Sequence, residues 1–307
     1  MDTVRDLLHR WFDSDLWHSF IASRLTVVAA VVTLIFIGAA TLAPLISPQN
    51  PFDPGALNLL DAFTPPVWYQ DGQLPFLLGT DDQGRDIFST ILYGSRISLI
   101  VGVGAMLMAM AIGVGLGLVS GYVGGALDNF IMRVADVTLS FPALLVAMLI
   151  NGVVRGIFPN VTHDESSLFV LIISIGISSW PPFARTVRGS TMVERGKEYV
   201  QAARIIGRSP AAIMVQHVLP NVMGPVLVIA TIGLAISILT EASLSFLGVG
   251  MPPTTPSLGT LIRIGNNFLF SGEWWIVVFP GVALAVLILA VNLLGDWLRD
   301  ALNPKLR

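Results

Sequence analysis

The chain has 307 residues, of which 54% are hydrophobic and only 12% are charged, and its mean hydropathy is +0.76. A soluble domain carries about twice that charged fraction, so the composition predicts a membrane protein. The net charge of -3 does not indicate a nucleic-acid partner, and the absence of cysteine excludes disulfides and thiolate metal sites.

The first 24 residues form a segment in which apolar side chains alternate with charged ones. This pattern suits a helix that lies at the level of the lipid headgroups on the cytoplasmic side, and a disordered tail is the alternative. The segment is too long and too acidic for a cleavable signal sequence, so we expect the first span to remain as an anchor. The apolar residues are Leu7, Leu8, Trp11, Phe12, Leu16, Trp17 and Phe20.

Six apolar runs are long enough to cross a bilayer. The first, Leu25–Ile46, contains no charge and reaches roughly 33 Å at about 1.5 Å per residue, enough to cross a hydrocarbon core. The sequence therefore predicts an all-α, polytopic protein with six transmembrane helices. The other five candidates are Ile97–Val119, Val134–Gly152, Leu168–Phe183, Val222–Gly248 and Trp275–Leu294.

An extracytoplasmic loop is predicted over residues 47–95. Its first part is rich in chain-breaking residues, and its last part reads as more ordered. In the stretch Leu78–Asp86, either Thr80 or Asp81 is expected to cap a helix that opens around Gly84. That helix would present apolar residues on one side, namely Ile87, Ile91 and Leu92.

The same stretch contains a cluster of charges, Asp81, Asp82, Arg85 and Asp86. Paired carboxylates raise the alternative of a metal or catalytic site. No histidine or further carboxylate lies nearby in the sequence to complete a coordination shell. We therefore expect an ion-paired, capped turn at the membrane surface and no metal.

Glycine and proline mark positions of close packing and bending within the spans. Gly113, Gly117 and Gly121 recur every four residues, which places them on one helix face that a neighbouring helix can approach closely. Prolines within or at the ends of helices can bend or break them. They are Pro142, Pro181, Pro182, Pro225 and Pro280.

A polar, helix-forming hairpin, Glu198–Pro220, lies between two apolar spans. Ala202 and Ala203 would place small side chains on a face where another protein can approach the backbone. Gly207 can end the first helix in a left-handed cap, and a Ser-Pro pair at 209–210 can begin a second short helix. The pattern indicates a docking loop.

The distribution of basic residues predicts the orientation of the spans. Of the 17 Lys and Arg residues, only Arg85, Arg96, Arg155 and Arg263 fall in segments assigned to the outside. The excess on the other side follows the positive-inside rule. Both termini, the C-terminal tail 298–307 and the loop 185–218 are therefore expected in the cytoplasm.

Few groups in the spans could perform chemistry. Asp136, near the cytoplasmic end, and Glu241, near the outer end, are the clear intramembrane charges, and neither forms a mid-bilayer relay for a proton-driven transporter. The sequence lacks a G-x-x-x-x-G-K-[ST] loop for nucleotide phosphates, so no ATPase or other enzyme activity is expected. An intramembrane protease is disfavoured because the histidines fall outside the predicted spans: His9, His18, His163 and His217.

The hairpin resembles the cytoplasmic coupling loop of ABC importer permeases, whose pattern is E-A-A-x3-G-x9-I-x-L-P. Gln201 stands in place of the acidic residue and His217 in place of the isoleucine, while the spacing is kept. The resemblance implies that these positions couple the chain to an ATPase subunit. The positions that keep the register are Gln201, Ala202, Ala203, Gly207, Leu219 and Pro220.

Further runs are similar to the dipeptide/oligopeptide (peptide/nickel) branch of these permeases, and specifically to the second membrane subunit of the pair. They are Leu78–Asp86, Arg133–Ile150, Glu241–Ile262 and Asn292–Arg307. The resemblance implies a type I ABC importer permease fold in a bacterial inner membrane, with a transmembrane core over residues 96–297. It also implies that Asp81, Gly84, Arg85 and Asp86 face a substrate-binding protein.

The implied partners are a homologous permease subunit, two ATPase subunits that bind ATP and magnesium, an extracytoplasmic substrate-binding protein and the lipid bilayer. This chain itself would hold no cofactor. A self-sufficient secondary transporter or channel is the alternative, since Gly- and Pro-broken helices also occur there. The substrate stays open between di- or oligopeptides, glutathione, nickel chelates and other small solutes.

Overall fold

The computed structural model describes residues 15–53, 55, 57–157 and 164–301, without the side chains of 15–17 and 164–166. The described backbone is mostly helical, and within it the one β-type contact is a bridge between Thr80 and Asp86. The expected interfacial helix falls partly outside these ranges. Its described part is α1, Asp15–Ala22, and the ring of Phe20 packs edge-on against Trp297 at 5.2 Å.

The first predicted span is helical but interrupted. Helix α2 covers Arg24–Thr41 and begins at Ser23, whose hydroxyl accepts a hydrogen bond from the Thr26 amide. The chain breaks at Leu42 and continues as the short helix α3, Ala43–Ile46.

The second span is much longer than predicted. Helix α4 covers Ile87–Val123, and its 37 residues reach about 55 Å at 1.5 Å per residue. Its N-cap is Asp86, so the expectation that the helix is capped at Thr80 or Asp81 is wrong. The physical reason is that the Asp81 carboxylate accepts hydrogen bonds from the following backbone amides in a turn, which holds this segment outside the helix.

The third and fourth spans are bent pairs, so their prediction as single helices is wrong. Helices α5, Gly125–Ser140, and α6, Ala143–Ile157, meet at 101°, with Pro142 at the break. Helix α7, Asp164–Ser178, meets α8, Trp180–Glu194, at a bend of 43°. Proline removes a helical donor and clashes with the preceding turn, whereas the prolines at 181 and 182 are tolerated in the first turn of α8.

The hairpin and the last two spans follow. Helix α9 covers Glu198–Ile205, α10 covers Pro210–Ile213, a π-helical turn covers Met214–Val218 and α11 covers Leu219–Phe246. A short outer helix that the sequence analysis did not predict, α12, covers Leu258–Asn266, and α13 covers Trp275–Ala301.

These last helices depart from expectation in three respects. Helix α10, the π-helical turn and α11 form one continuous helical segment, Pro210–Phe246. The second arm of the hairpin therefore continues directly into the last-but-one predicted span. Pro225 and Pro280 lie inside α11 and α13, which continue through them. Helix α13 also runs into the segment that was expected to form a tail from residue 298.

The number of membrane spans agrees with the prediction when each bent pair is counted once. Four helices in the described chain are long and apolar enough to cross a bilayer, and the two bent pairs raise that number to as many as six. The protein is therefore an all-α, polytopic membrane protein.

The glycine face of α4 packs closely against a neighbouring helix. A Cβ atom at Gly113 would lie 2.4 Å from the Cβ of Phe183, and one at Gly117 would lie 2.6 Å from the carbonyl oxygen of Ala184. At Gly121 the corresponding contact is a backbone oxygen of α8 at 2.7 Å. The predicted close approach is confirmed, and α8 is the helix that makes it.

Candidate functional site

The hairpin turns at Gly207, as its sequence predicts. Gly207 has a φ of +83°, its amide donates to the Arg204 carbonyl at 3.0 Å, and the Arg208 amide donates to the Ala203 carbonyl at 3.1 Å. This pair of bonds is a Schellman motif, which satisfies the last carbonyls of α9. The hairpin then starts α10 at Ser209, whose hydroxyl accepts from the Ala212 amide, so both ends of the turn are fixed locally.

One face of the hairpin packs on the membrane domain. Val200 and Ala203 are buried three residues apart on α9, in a cluster with Leu118 of α4 and with Ile213 and Val218 of the second arm. The expectation that Ala203 offers its backbone to another protein is therefore wrong. Its small side chain instead allows α9 to approach the ends of the spans.

The opposite face of the hairpin is exposed and apolar at its end. Ile205 and Ile206 are 86% and 80% exposed, and Ala202 beside them is exposed as well. We call Ile205, Ile206 and Gly207 the hairpin tip. The sequence analysis missed the two isoleucines, although two branched apolar residues directly before a glycine cap in a polar segment are a usable signal.

The remaining predicted coupling residues differ in burial and in their contacts. The side-chain amide of Gln201 donates to the Gly196 carbonyl at 3.0 Å. The carbonyl of His217 accepts from the Asn221 side chain at 2.7 Å, in the π-helical turn. Leu219 is half-buried in the same apolar cluster, and Pro220 is exposed in the first turn of α11.

A tyrosine joins the hairpin to the end of α8. The Tyr199 hydroxyl donates to the carboxylate of Glu194 at 2.5 Å, and Lys197 pairs with the other oxygen of that carboxylate at 2.6 Å. Burial, followed by the bond to Glu194, raises the pKa of Tyr199 to about 12. The phenol is therefore protonated at neutral pH and keeps this bond.

The turn before α4, Leu78–Asp86, is built around a buried ion pair, and we call it the outer turn. The Arg85 guanidinium donates to the Asp81 carboxylate at 2.6 Å and to the Pro253 carbonyl at 2.9 Å, and both charged side chains are almost fully buried. The expected ion-paired turn is thus present. It also ties the start of α4 to the loop before α12.

Asp86 and Gly84 complete this turn. The Asp86 carboxylate accepts from the amide and the hydroxyl of Ser89, at 2.8 and 2.6 Å, and burial raises its pKa. Gly84 has a φ of +74°, and a Cβ there would lie 2.3 Å from the Asn58 carbonyl oxygen. The four residues expected to face a binding protein are buried, so in this conformation they support the turn instead of contacting a partner.

In this turn Gln83 is exposed, and Asp82 beside it is partly buried. Partial burial, followed by the neighbouring Asp81 carboxylate, raises the pKa of Asp82. Both residues line a cavity of about 420 Å³, which is also lined by Arg263 of α12 and by Asn267 at the C-cap of that helix. This cavity lies between the turn and α12, and it contains groups of both charges.

The two intramembrane acids are each bonded within the chain. Asp136 of α5 forms an ion pair with Arg185 of α8 at 2.5 Å, with both side chains half exposed. Glu241 of α11 is fully buried and accepts from the hydroxyls of Ser98 at 2.8 Å and Ser245 at 2.7 Å. These bonds join α5 to α8 and α4 to α11.

The comparisons with known proteins agree with this geometry. A family model described as binding-protein-dependent transport system inner membrane component matches residues 113–307. A second, the N-terminal transmembrane domain of oligopeptide transport permease C, matches residues 11–66. The second match covers a region in which the sequence analysis had found little beyond one anchor helix.

Several curated relatives match along nearly the whole chain. The dipeptide transport system permease protein DppC of Haemophilus influenzae is 38% identical, with 95% of each chain covered. The di/tripeptide transport system permease protein DppC of Pseudomonas aeruginosa is 36% identical over 95% of this chain and 92% of its own. The dipeptide permease DppC of Escherichia coli K12 is 38% identical, with 95% and 93% covered.

The fold is also that of a solved transporter. An inward-facing structure of the MetNI methionine ABC transporter aligns with a TM-score of 0.54 and 18% identity, covering 70% of this chain and 96% of the matched chain. The helical bundle and the hairpin of this chain thus define a helical membrane permease with the type I ABC importer permease fold. The chain belongs to the family of binding-protein-dependent transport system inner membrane components, as a permease subunit of an ABC transporter.

Proposed function

We propose that this chain forms half of the translocation path for short peptides in a bacterial importer. A homologous permease subunit forms the other half, as a heterodimer. Two separate ATPase subunits bind ATP and magnesium and drive the cycle, while this chain holds no cofactor and catalyses no reaction. A peptide-loaded binding protein delivers the substrate from outside. The names of the relatives support peptides as the substrate class.

The observation that carries this proposal is the hairpin tip. Ile205 and Ile206 project from a rigid Schellman turn, while the other face of α9 is buried on the spans. An exposed apolar pair on a fixed support suits a groove of a partner protein, because such a contact buries apolar area with little ordering of the hairpin. We place this hairpin and both termini in the cytoplasm.

At the outer face, the exposed Gln83 and the partly buried Asp82 are proposed to meet the binding protein. The buried pair Asp81 and Arg85, the glycine at 84 and the cap Asp86 position them. In this assignment the transport cycle is a shift between outward-open and inward-open states, biased from one side by the binding protein and from the other by the ATPases.

The test is transport by the reconstituted complex. Proteoliposomes containing both permease subunits and the ATPase subunits, with ATP on the ATPase side, should accumulate dialanine supplied with the binding protein. Liposomes without the ATPase subunits are the control and should accumulate none. Uptake that persists without ATPases would favour the alternative, a self-sufficient secondary transporter or channel.

The peptide assignment has its own test. The cognate binding protein should gain thermal stability with di- and tripeptides, because ligand binding to the native state raises the unfolding free energy. Glutathione and nickel chelates form the comparison panel. Stabilisation by one of these alone would replace peptides with that solute and leave the permease assignment in place.

A further inference from the structure

Arg204, next to the hairpin tip, contacts the end of α4. Its Nε donates to the hydroxyl of Tyr122 at 3.2 Å, and its guanidinium lies 4.9 Å from the centre of the Tyr122 ring. The contact thus combines a hydrogen bond with a cation–π interaction. Tyr122 is the residue before the last of α4, so the contact joins the hairpin to that helix end.

The same helix end is fixed to α8. Arg195, at the C-cap of α8, donates from Nη1 to the carbonyls of Gly121 at 3.0 Å and Tyr122 at 3.3 Å. A cation at the C-terminus of a helix satisfies free carbonyls and complements the helix dipole. The end of α4 is therefore held by α8, and Arg204 attaches the hairpin to it in addition to the apolar packing on Leu118.

Helix α4 also reaches the outer turn without interruption. It begins at the cap Asp86, beside the Arg85 ion pair, and contains no proline along its 37 residues. Among the described spans that lie near the hairpin, α8 is bent away from α7, and α11 starts with a π-helical turn and contains Pro225. In the described part of the chain, α4 is therefore the unbroken connection between the two surfaces.

We propose that α4 transmits motion between the outer turn and the hairpin, and that Tyr122 and Arg204 are the joint at its cytoplasmic end. The inference rests on the proposed function. When an ATPase subunit moves the hairpin tip, Arg204 moves the end of α4 with it, and the rigid helix carries the displacement to the turn at its other end. Tyr122 and Arg204 are positioning residues, because they touch neither nucleotide nor substrate.

ATPase binding and the transmission of motion to α4 are assigned to different residues of the hairpin. In the proposed function Ile205 and Ile206 bind the ATPase, whereas Tyr122 and Arg204 contact each other within this chain. Loss of the joint should leave the ATPases bound and active but should waste ATP. The quantity that reports this is the number of dialanine molecules transported per ATP hydrolysed.

The experiment uses the complete complex in proteoliposomes, with dialanine and its binding protein. Tyr122→Leu and Arg204→Gln should each lower dialanine transported per ATP at least fivefold. Retention of ATPase subunits should equal the wild type, and ATP hydrolysis should stay within about twofold. Tyr122→Phe and Arg204→Lys, which keep a ring and a cation, should recover part of the ratio.

The double variant tests whether the two residues act through each other. Tyr122→Leu combined with Arg204→Gln should be no worse than either single variant, since contacting residues that share one interaction are not additive. Arg133→Gln is the matched control, because Arg133 is an exposed arginine on α5, a helix that carries neither residue of this contact, and the variant should keep the wild-type ratio.

Three results would overturn the inference: an unchanged ratio in Arg204→Gln, multiplicative losses in the double variant, or an equal loss in Arg133→Gln. Arg204 is exposed, so its variant is expected to assemble even if Tyr122→Leu assembles poorly. A wild-type complex that does not retain ATPases would instead contradict the proposed function. The two failures are therefore distinguishable.

Discussion

The two small residues Ala203 and Gly207 of the hairpin are required for different structural reasons. Ala203 is buried against the spans, whereas Gly207 is exposed and nothing lies within 4 Å of the position of a Cβ atom there. Gly207 is needed for its φ of +83° alone. The spacing of a sequence motif therefore located the turn correctly but could not say which of its residues face inward.

The first prediction concerns this backbone conformation. Gly207→Val should weaken the retention of ATPase subunits by the purified complex, because a β-branched residue in the left-handed region costs about 1–2 kcal/mol and would rotate the tip. Retention is measured by co-purification at increasing salt and detergent. Gly189→Val is the control, since Gly189 lies in α8 with open space around it and no positive φ. Equal retention by the two variants would contradict the role of the turn.

At the scale of elements, the helices were predictable where periodicity and composition dominate, and their breaks were not. The spans of α2, α11 and α13 follow from long apolar runs. The 101° bend at Pro142 does not, because Pro225 and Pro280 are accommodated within straight-through helices. A proline permits a break without requiring one, so the sequence alone does not say which proline bends its helix.

The outer turn shows a similar limit. Its ion pair could be expected from the charges in sequence, but its burial could not, because the covering carbonyl of Pro253 comes from a distant loop. The outer helix α12 was missed for a related reason. It is short, and its start combines a local cap, Ser257, with a tertiary contact between the Leu258 amide and the Ser98 hydroxyl.

A second prediction distinguishes residues that stabilise this turn from residues that contact the binding protein. Arg85→Met should reduce the yield of assembled permease, because an unpaired buried Asp81 is expected to cost about 3–5 kcal/mol. Asp82→Asn should assemble normally and lower the stimulation of ATP hydrolysis by loaded binding protein. Size-exclusion yield and stimulated ATPase activity are the two measurements. Normal assembly of Arg85→Met would show that the pair is dispensable for folding.

A third prediction tests the glycine face of α4. Gly117→Ala should destabilise the protein by about 1–3 kcal/mol, because the new Cβ would overlap the backbone of α8. Gly115→Ala, two residues away in the same helix with open space around it, should be neutral or slightly stabilising. Thermal unfolding of the detergent-solubilised protein should therefore give a lower Tm for the first variant only. A matching Tm for both variants would refute the packing role.

For the whole molecule, the fold places the two candidate docking surfaces at opposite ends of α4. One is the outer turn before Ile87 and the other is the hairpin behind Tyr122. The family and the fold class could be predicted from motif spacing and composition. The N-terminal match over residues 11–66 could not, since one apolar anchor has little sequence pattern that distinguishes it from others.

The fourth prediction follows from this arrangement. The chain has no cysteine of its own, so single cysteines report sidedness without background. In intact spheroplasts, a membrane-impermeant maleimide should label Ser271→Cys and should label Ala211→Cys only after the membrane is opened. Both positions are exposed in the folded chain. Labelling of Ala211→Cys from outside would reverse the proposed topology.

The bonds of Glu241 have a consequence for biosynthesis. A lone acid at the centre of a span opposes entry into lipid by about 2.5–3.5 kcal/mol on insertion scales, and an acid nearer the end, such as Glu241, by less. Its donor Ser98 belongs to α4, which leaves the ribosome well before α11, so the partner is already in the membrane when Glu241 emerges. The helix that carries the hydrogen-bond donor is thus synthesised before the helix that carries the acid. A chain permuted to make α11 before α4 would expose this acid to lipid and to quality-control proteases during insertion.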